Sequence, residues 1–260
     1  LGDVYKRQVA GGNYGYSLMC AMVIALFVRF VFVSIIAKYQ LCNQHGESVI
    51  AGLKRLHPWM PIFVGGVAIF FGHFYGSYMV KGLGEASERL AGFGAPWLWS
   101  VFWVTLAAVF IFRGAYRRLE VIFYVFLIML STSLIGVAVW SGPDPVAAAK
   151  GAFLFAVPEQ SGSFGALLVI TSLIGAVGGS IGNLLYPYFI QQKGWQGPRF
   201  RRVQLYDLAF GTAVLVIINL SVWTIGAELL HPRGITVENL DGLASLLTLT
   251  LGTLGGPIFY

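Results

Sequence analysis

Six apolar stretches of bilayer-spanning length, joined by short connections that hold nearly all of the charge, restrict this chain to one class of fold. They cover residues 14–37, 61–80, 96–112, 121–140, 166–190 and 208–230, and a seventh begins near Leu243 and continues to Tyr260. A helix needs roughly 20 mainly apolar residues to cross the hydrocarbon core. At that depth no water takes up backbone N–H and C=O groups, so a stretch of this length must satisfy them within its own helix. Charged residues are 11% of the chain and hydrophobic residues 57%, with a mean hydropathy of +0.75, whereas a soluble domain carries about 25% charged residues. The expectation is an all-α integral membrane protein, multi-pass, in the cell membrane.

The net charge of +6 points to no nucleic acid, because the cations fall on alternate connections. Lys38, Lys54 and Arg55 follow the first span, Arg113, Arg117 and Arg118 the third, and Lys193, Arg199, Arg201 and Arg202 the fifth. The other connections hold Lys81, Arg89, Lys150 and Arg233 and are dominated by Glu85, Glu88, Asp144, Glu159, Glu228, Glu238 and Asp241. The positive-inside bias makes the first set cytoplasmic. Residues 1–8 are polar and lack the pattern of a signal peptide; they read as a junction outside the fold, with residues 9–260 as a transporter domain. The lack of an initiator Met and the apolar last residues read as a fragment. Cys20 and Cys42 suit two buried or juxtamembrane thiols rather than a disulfide framework. No HExxH, CxxC, P-loop or GxSxG pattern occurs, which argues against a hydrolase or a nucleotide-driven pump.

The fifth span is interrupted at its centre by Gly178, Gly179, Ser180, Ile181, Gly182 and Asn183, and Pro187 follows. Glycine disfavours a continuous helix and proline cannot donate its hydrogen bond, so the helix should come apart there. Backbone freed inside a membrane must face protein, water or a solute, which makes the break a candidate binding site. Asn183 has two readings, a cation ligand through its amide oxygen or a cap for the following half-helix, and the glycines also permit close helix contact. His73, with Tyr75, Ser77 and Tyr78 on the same span, is a candidate pathway residue or an interhelical hydrogen-bonding group. Arg29, the one charge in the middle of a span, reads as an internal pair or a snorkelling side chain. Asn219 and Ser221 fit interhelical glue. Residues 191–202 form a cytoplasmic turn and basic collar with Trp195 at headgroup level. The connection from Ser141 to Phe164 holds Val157, Pro158 and Glu159, and residues 147–155 read as a short surface helix.

Several segments carry a resemblance. Residues 11–18, with Gly11, Gly12, Asn13 and Tyr14 leading into the first span, Gly46, Glu47 and Ser48 after it, Ile174, Gly175 and Ala176 before the break, and Asn183 and Leu184 leaving it resemble the Nramp family of divalent-metal transporters. Residues 202–207 before the sixth span, residues 237–240, and residues 251–255 are similar as well. The resemblance implies a LeuT-like fold of two inverted five-helix repeats in which the first helix of each repeat is broken. This chain would then be a partial LeuT-like bundle with one discontinuous helix, holding six spans and the start of a seventh. The family's first-helix motif, Asp-Pro-Gly-Asn, would lie before Val9, and the C-terminal helices would lie beyond Tyr260.

By the same resemblance the metal ligands are Ala176, Gly179, Ser180 and Asn183. Ala176 matches an alanine whose carbonyl binds metal, and Gly179 occupies the region of the family's methionine. Oxygen donors without a thioether suit magnesium, calcium or manganese rather than softer metals. The span 61–80, which matches the family's acidic proton route, has no carboxylate and offers His73, Tyr75 and Tyr78, so facilitated uptake is expected. The implied function is transport of divalent metal cations of the manganese, iron or magnesium class by alternating access, with the cation as substrate, no cofactor, and the lipid bilayer as the other partner. The alternative is a carrier of amino acids or other organic solutes, its carboxylate held by the half-helix amides of residues 179–183. A membrane enzyme built around His73 would need a nucleophile or metal cluster that the sequence lacks, and a purely structural subunit would not need the break.

Overall fold

The computed structural model describes residues 10–112, 116–154 and 166–233. The seventh apolar stretch, residues 1–8, the segment with Val157, Pro158 and Glu159, and the similar segments 237–240 and 251–255 lie outside the described residues. The described chain is helical throughout: α1 (residues 10–14), α2 (Met19–Cys42), α3 (Val49–Gly52), α4 (Met60–Ala91), α5 (Pro96–Phe112), α6 (Tyr116–Trp140), α7 (Pro145–Phe153), α8 (Ala166–Val177), α9 (Tyr186–Gln192) and α10 (Arg201–Leu229). Among the described residues five stretches are long and apolar enough to cross a bilayer, with the segment 167–192 taken as one, and α5 is slightly shorter.

The chain divides into two units. The first comprises residues 1–17, 75–150 and 218–260. Here α1 lies against the C-terminal part of α10: a Cβ on Gly11 would fall 2.5 Å from the Trp223 carbonyl oxygen, so only glycine allows the approach. The chain turns at Gly15, whose φ of +54° suits a residue without Cβ, and the Trp223 indole donates to the Gly15 carbonyl at 2.8 Å. The α2 helix therefore starts at Met19, five residues later than the apolar run. Gly84 of α4 brings that helix onto α5, where a Cβ would meet Ser100 Oγ and the Pro96 carbonyl, and Trp103 Nε1 donates to Ser87 Oγ at 2.8 Å. Asp144 caps α7 by accepting from the amides of Val146 and Ala147. Asn219 and Ser221 are buried, as their reading as interhelical polar groups requires.

The second unit comprises residues 18–74 and 151–217. Its organising element is α2, against which α8 and α9 both pack. Ala37 and Leu41 of α2 form a small core with Ile190 of α9, covered by Tyr186, Trp195 and Phe200. Trp195 thus closes a protein core, with the Lys193 ammonium 4.7 Å above its ring. At the start of α10, Arg201 donates to Ser34 Oγ at 2.7 Å and to Gln204 Oε1. Gln204, completely buried, donates in turn to the Tyr186 hydroxyl at 3.2 Å. Asp207 pairs with Lys193 at 2.8 Å.

Candidate metal site

The fifth apolar run does come apart. Regular α-helix ends at Val177, and residues 178–180 are irregular. A 3-10 turn then spans Ile181–Leu185, and α9 starts at Tyr186 with Pro187 in its first turn, where a missing N–H costs nothing. The amides of Gly178 and Gly179 both donate to the Ile174 carbonyl, at 2.8 and 3.2 Å. Among the described residues no backbone amide is directed at the carbonyls of Gly175, Ala176 and Val177. These are the orphan acceptors that every helix end leaves, at the end where the helix dipole concentrates negative partial charge.

Beyond them the chain satisfies itself. Ser180 is the cap: its Oγ accepts from Gly182 N at 3.3 Å, and its carbonyl accepts from Asn183 N at 3.0 Å. The capping role considered for Asn183 therefore belongs to Ser180, because the helical turn begins at Ile181, two residues before the asparagine. Asn183 instead closes the break on itself. It is 4% exposed, and its Nδ2 donates to the Gly178 carbonyl at 3.2 Å. An amide fixed by its nitrogen presents Oδ1 as the atom still able to accept.

The predicted ligands differ in exposure. Ala176 and Gly179 are exposed and Ser180 is half-buried, whereas Asn183 is buried with Gly178 on the side facing α2. Gly178 acts through packing: a Cβ there would stand 2.9 Å from the Ile174 carbonyl, 3.0 Å from Val28 Cγ1 and 3.3 Å from the Ala25 carbonyl. The carbonyls of Gly175 and Val177 were missed in reading the sequence, although counting the acceptors that a terminated helix leaves would have found them. His73 lies on α4 with its side chain exposed, and Arg29 is half-buried on α2. The break itself contains no Asp, Glu, His, Lys or Arg. Among the described residues no cluster of three His, Cys, Asp or Glu side chains could hold a metal, so the oxygens offered are neutral ones.

A family model described as natural resistance-associated macrophage protein-like, Nramp, matches residues 2–260. The chain belongs to the Nramp family. No curated protein matches it. Nramp proteins are multi-pass membrane transporters that handle divalent metal ions, and the family's fold is LeuT-like. In this Nramp chain α8, the irregular residues 178–180 and α9 form the discontinuous helix.

Proposed function

We propose that this Nramp chain carries hard divalent cations, magnesium in preference to manganese or iron, by alternating access at the broken helix. The cation is substrate, held by the Ala176 carbonyl, the segment of Gly179 and Ser180, and the amide oxygen of Asn183. One observation carries the reading: among the described residues the carbonyls of Gly175, Ala176 and Val177 accept no backbone amide, while the amides of Gly182 and Asn183 are taken by Ser180. This favours a cation over the carboxylate of an organic solute, because three of the amides of residues 179–183 that would hold one, those of Gly179, Gly182 and Asn183, are already bonded within the break. The donors are oxygen only, and magnesium prefers oxygen ligands while keeping several of its waters. Gly179 in the methionine region removes a soft sulfur and leaves volume for those waters. With no carboxylate on residues 61–80, uptake runs down the cation gradient without proton coupling, and His73 lines the route.

Magnesium uptake into proteoliposomes by the full-length protein, compared with Asn183→Ala and His73→Ala, tests the assignment. The reading expects Asn183→Ala to lose most uptake at unchanged protein insertion, and magnesium uptake in the unmutated protein to be indifferent to a pH gradient. Equal uptake and equal metal preference in Asn183→Ala would remove that residue from the site.

A further inference from the structure

The cytoplasmic end of α2 carries a second site that the transport reading does not use. A cleft of about 550 Å³ opens there, lined by Ile35, Lys38, Tyr39, Cys42, His45 and Arg55, among others. Its walls are prearranged. Asn43 Nδ2 donates to the carbonyls of Tyr39 and Glu47 at 2.9 and 2.8 Å, and its Oδ1 accepts from the amides of His45 and Glu47. Ser48 caps α3 by accepting from Ala51 N. Gly52 lies so close to the Tyr39 ring that no Cβ would fit. These contacts fold residues 43–55 back onto α2, which brings Arg55 beside Lys38 and His45.

The charge balance of the cleft is positive. Its neighbouring acid, Glu47, is already engaged, accepting from the Tyr39 hydroxyl at 2.8 Å and from Arg55 Nε at 2.5 Å. Arg55 uses only Nε in that pair, so its two terminal nitrogens remain available for a bidentate contact with phosphate. Lys38 is exposed and makes no ion pair among the described residues. Next to these cations Ile35 is 61% exposed, one helical turn toward the membrane interior. Cations at the cytoplasmic interface with an exposed aliphatic side chain just below them match one molecule: an anionic lipid of the inner leaflet, its phosphate at Lys38 and Arg55 and the start of an acyl chain on Ile35.

We infer that the cleft between the end of α2 and residues 43–55 binds an anionic glycerophospholipid. The experiment releases the full-length protein from nanodiscs of mixed phosphatidylcholine and phosphatidylglycerol and counts retained lipid by native mass spectrometry. Lys38→Glu and the milder Lys38→Gln are compared with Lys54→Gln, which changes a cation in the same connection outside the cleft. The inference expects phosphatidylglycerol retained over phosphatidylcholine, a drop of about five-fold per cleft charge removed, no change in Lys54→Gln, and no displacement by inorganic phosphate. Equal retention in both Lys38 variants overturns it. So does an equal loss in Lys54→Gln, which would mean a diffuse basic surface, or displacement by inorganic phosphate, which would mean a soluble anion site.

Discussion

Substituting alanine along the broken helix separates a glycine that makes room from one that does not. At Gly178 the added Cβ would stand 2.9 Å from the Ile174 carbonyl and 3.0 Å from Val28 Cγ1 on α2. The first obstacle is main chain and the second belongs to a stiff β-branched side chain, so the break itself must lift from α2. Overpacking of this kind costs about 1–3 kcal/mol, and it strains the same carbonyl that holds Gly179 in place. At Gly175, one turn earlier within α8, a Cβ would meet nothing within 4 Å, and replacing a helical glycine by alanine gains about 0.5–1 kcal/mol. The two substitutions differ by one methyl group each and should move stability in opposite directions. Thermal unfolding of purified Gly178→Ala and Gly175→Ala in detergent, followed by helical circular dichroism, reads the difference. If Gly178→Ala unfolds at or above the temperature of the unmutated protein, or Gly175→Ala falls below it, the seating of the break on α2 is wrong.

Gln204→Leu should destabilise by about 1–3 kcal/mol, since it leaves the Tyr186 hydroxyl and Arg201 without their shared buried partner; chemical denaturation of the variant measures it. Asp207→Asn should shift stability by less than about 1 kcal/mol in the same assay, because its pair with Lys193 is partly exposed. The hydrogen bond from Arg55, with that from Tyr39, holds the Glu47 carboxyl below its ordinary value. A depressed folded-state value means that the fold of residues 43–55 has its full benefit above the ordinary carboxylate range and loses it as pH falls through the lowered value. Protease nicking of this connection should therefore rise only under acid conditions, and Glu47→Gln should show the rise at neutral pH.

What could be read from the sequence was whatever lipid dictates. The start of α5 follows from Pro96, which suits a first helical turn. The break followed from three glycines within residues 178–182. Where protein contacts decide, hydropathy fails. The α4 helix runs on to Ala91, eleven residues past the apolar stretch, because its polar tail still favours helix: Lys81 and Glu85 pair at 3.8 Å one turn apart, and the helix stops only at Gly92, with φ of +73°. The late start of α2 depends on Trp223, more than 200 residues away, taking up the Gly15 carbonyl. The cap at Ser180 rather than Asn183, and the grouping of Tyr39, Glu47 and Arg55, likewise exist only after the chain has turned.

The identity of the donor atoms at the break can be tested most directly through metal preference. Uptake of magnesium and of cadmium, a soft cation, should be measured side by side in proteoliposomes holding the full-length protein or Gly179→Met. Oxygen donors alone predict magnesium ahead of cadmium in the unmutated protein and a swing toward cadmium once the thioether is supplied. Cadmium preferred from the outset, with Gly179→Met leaving the ratio unchanged, would contradict a hard-cation site at residues 176–183.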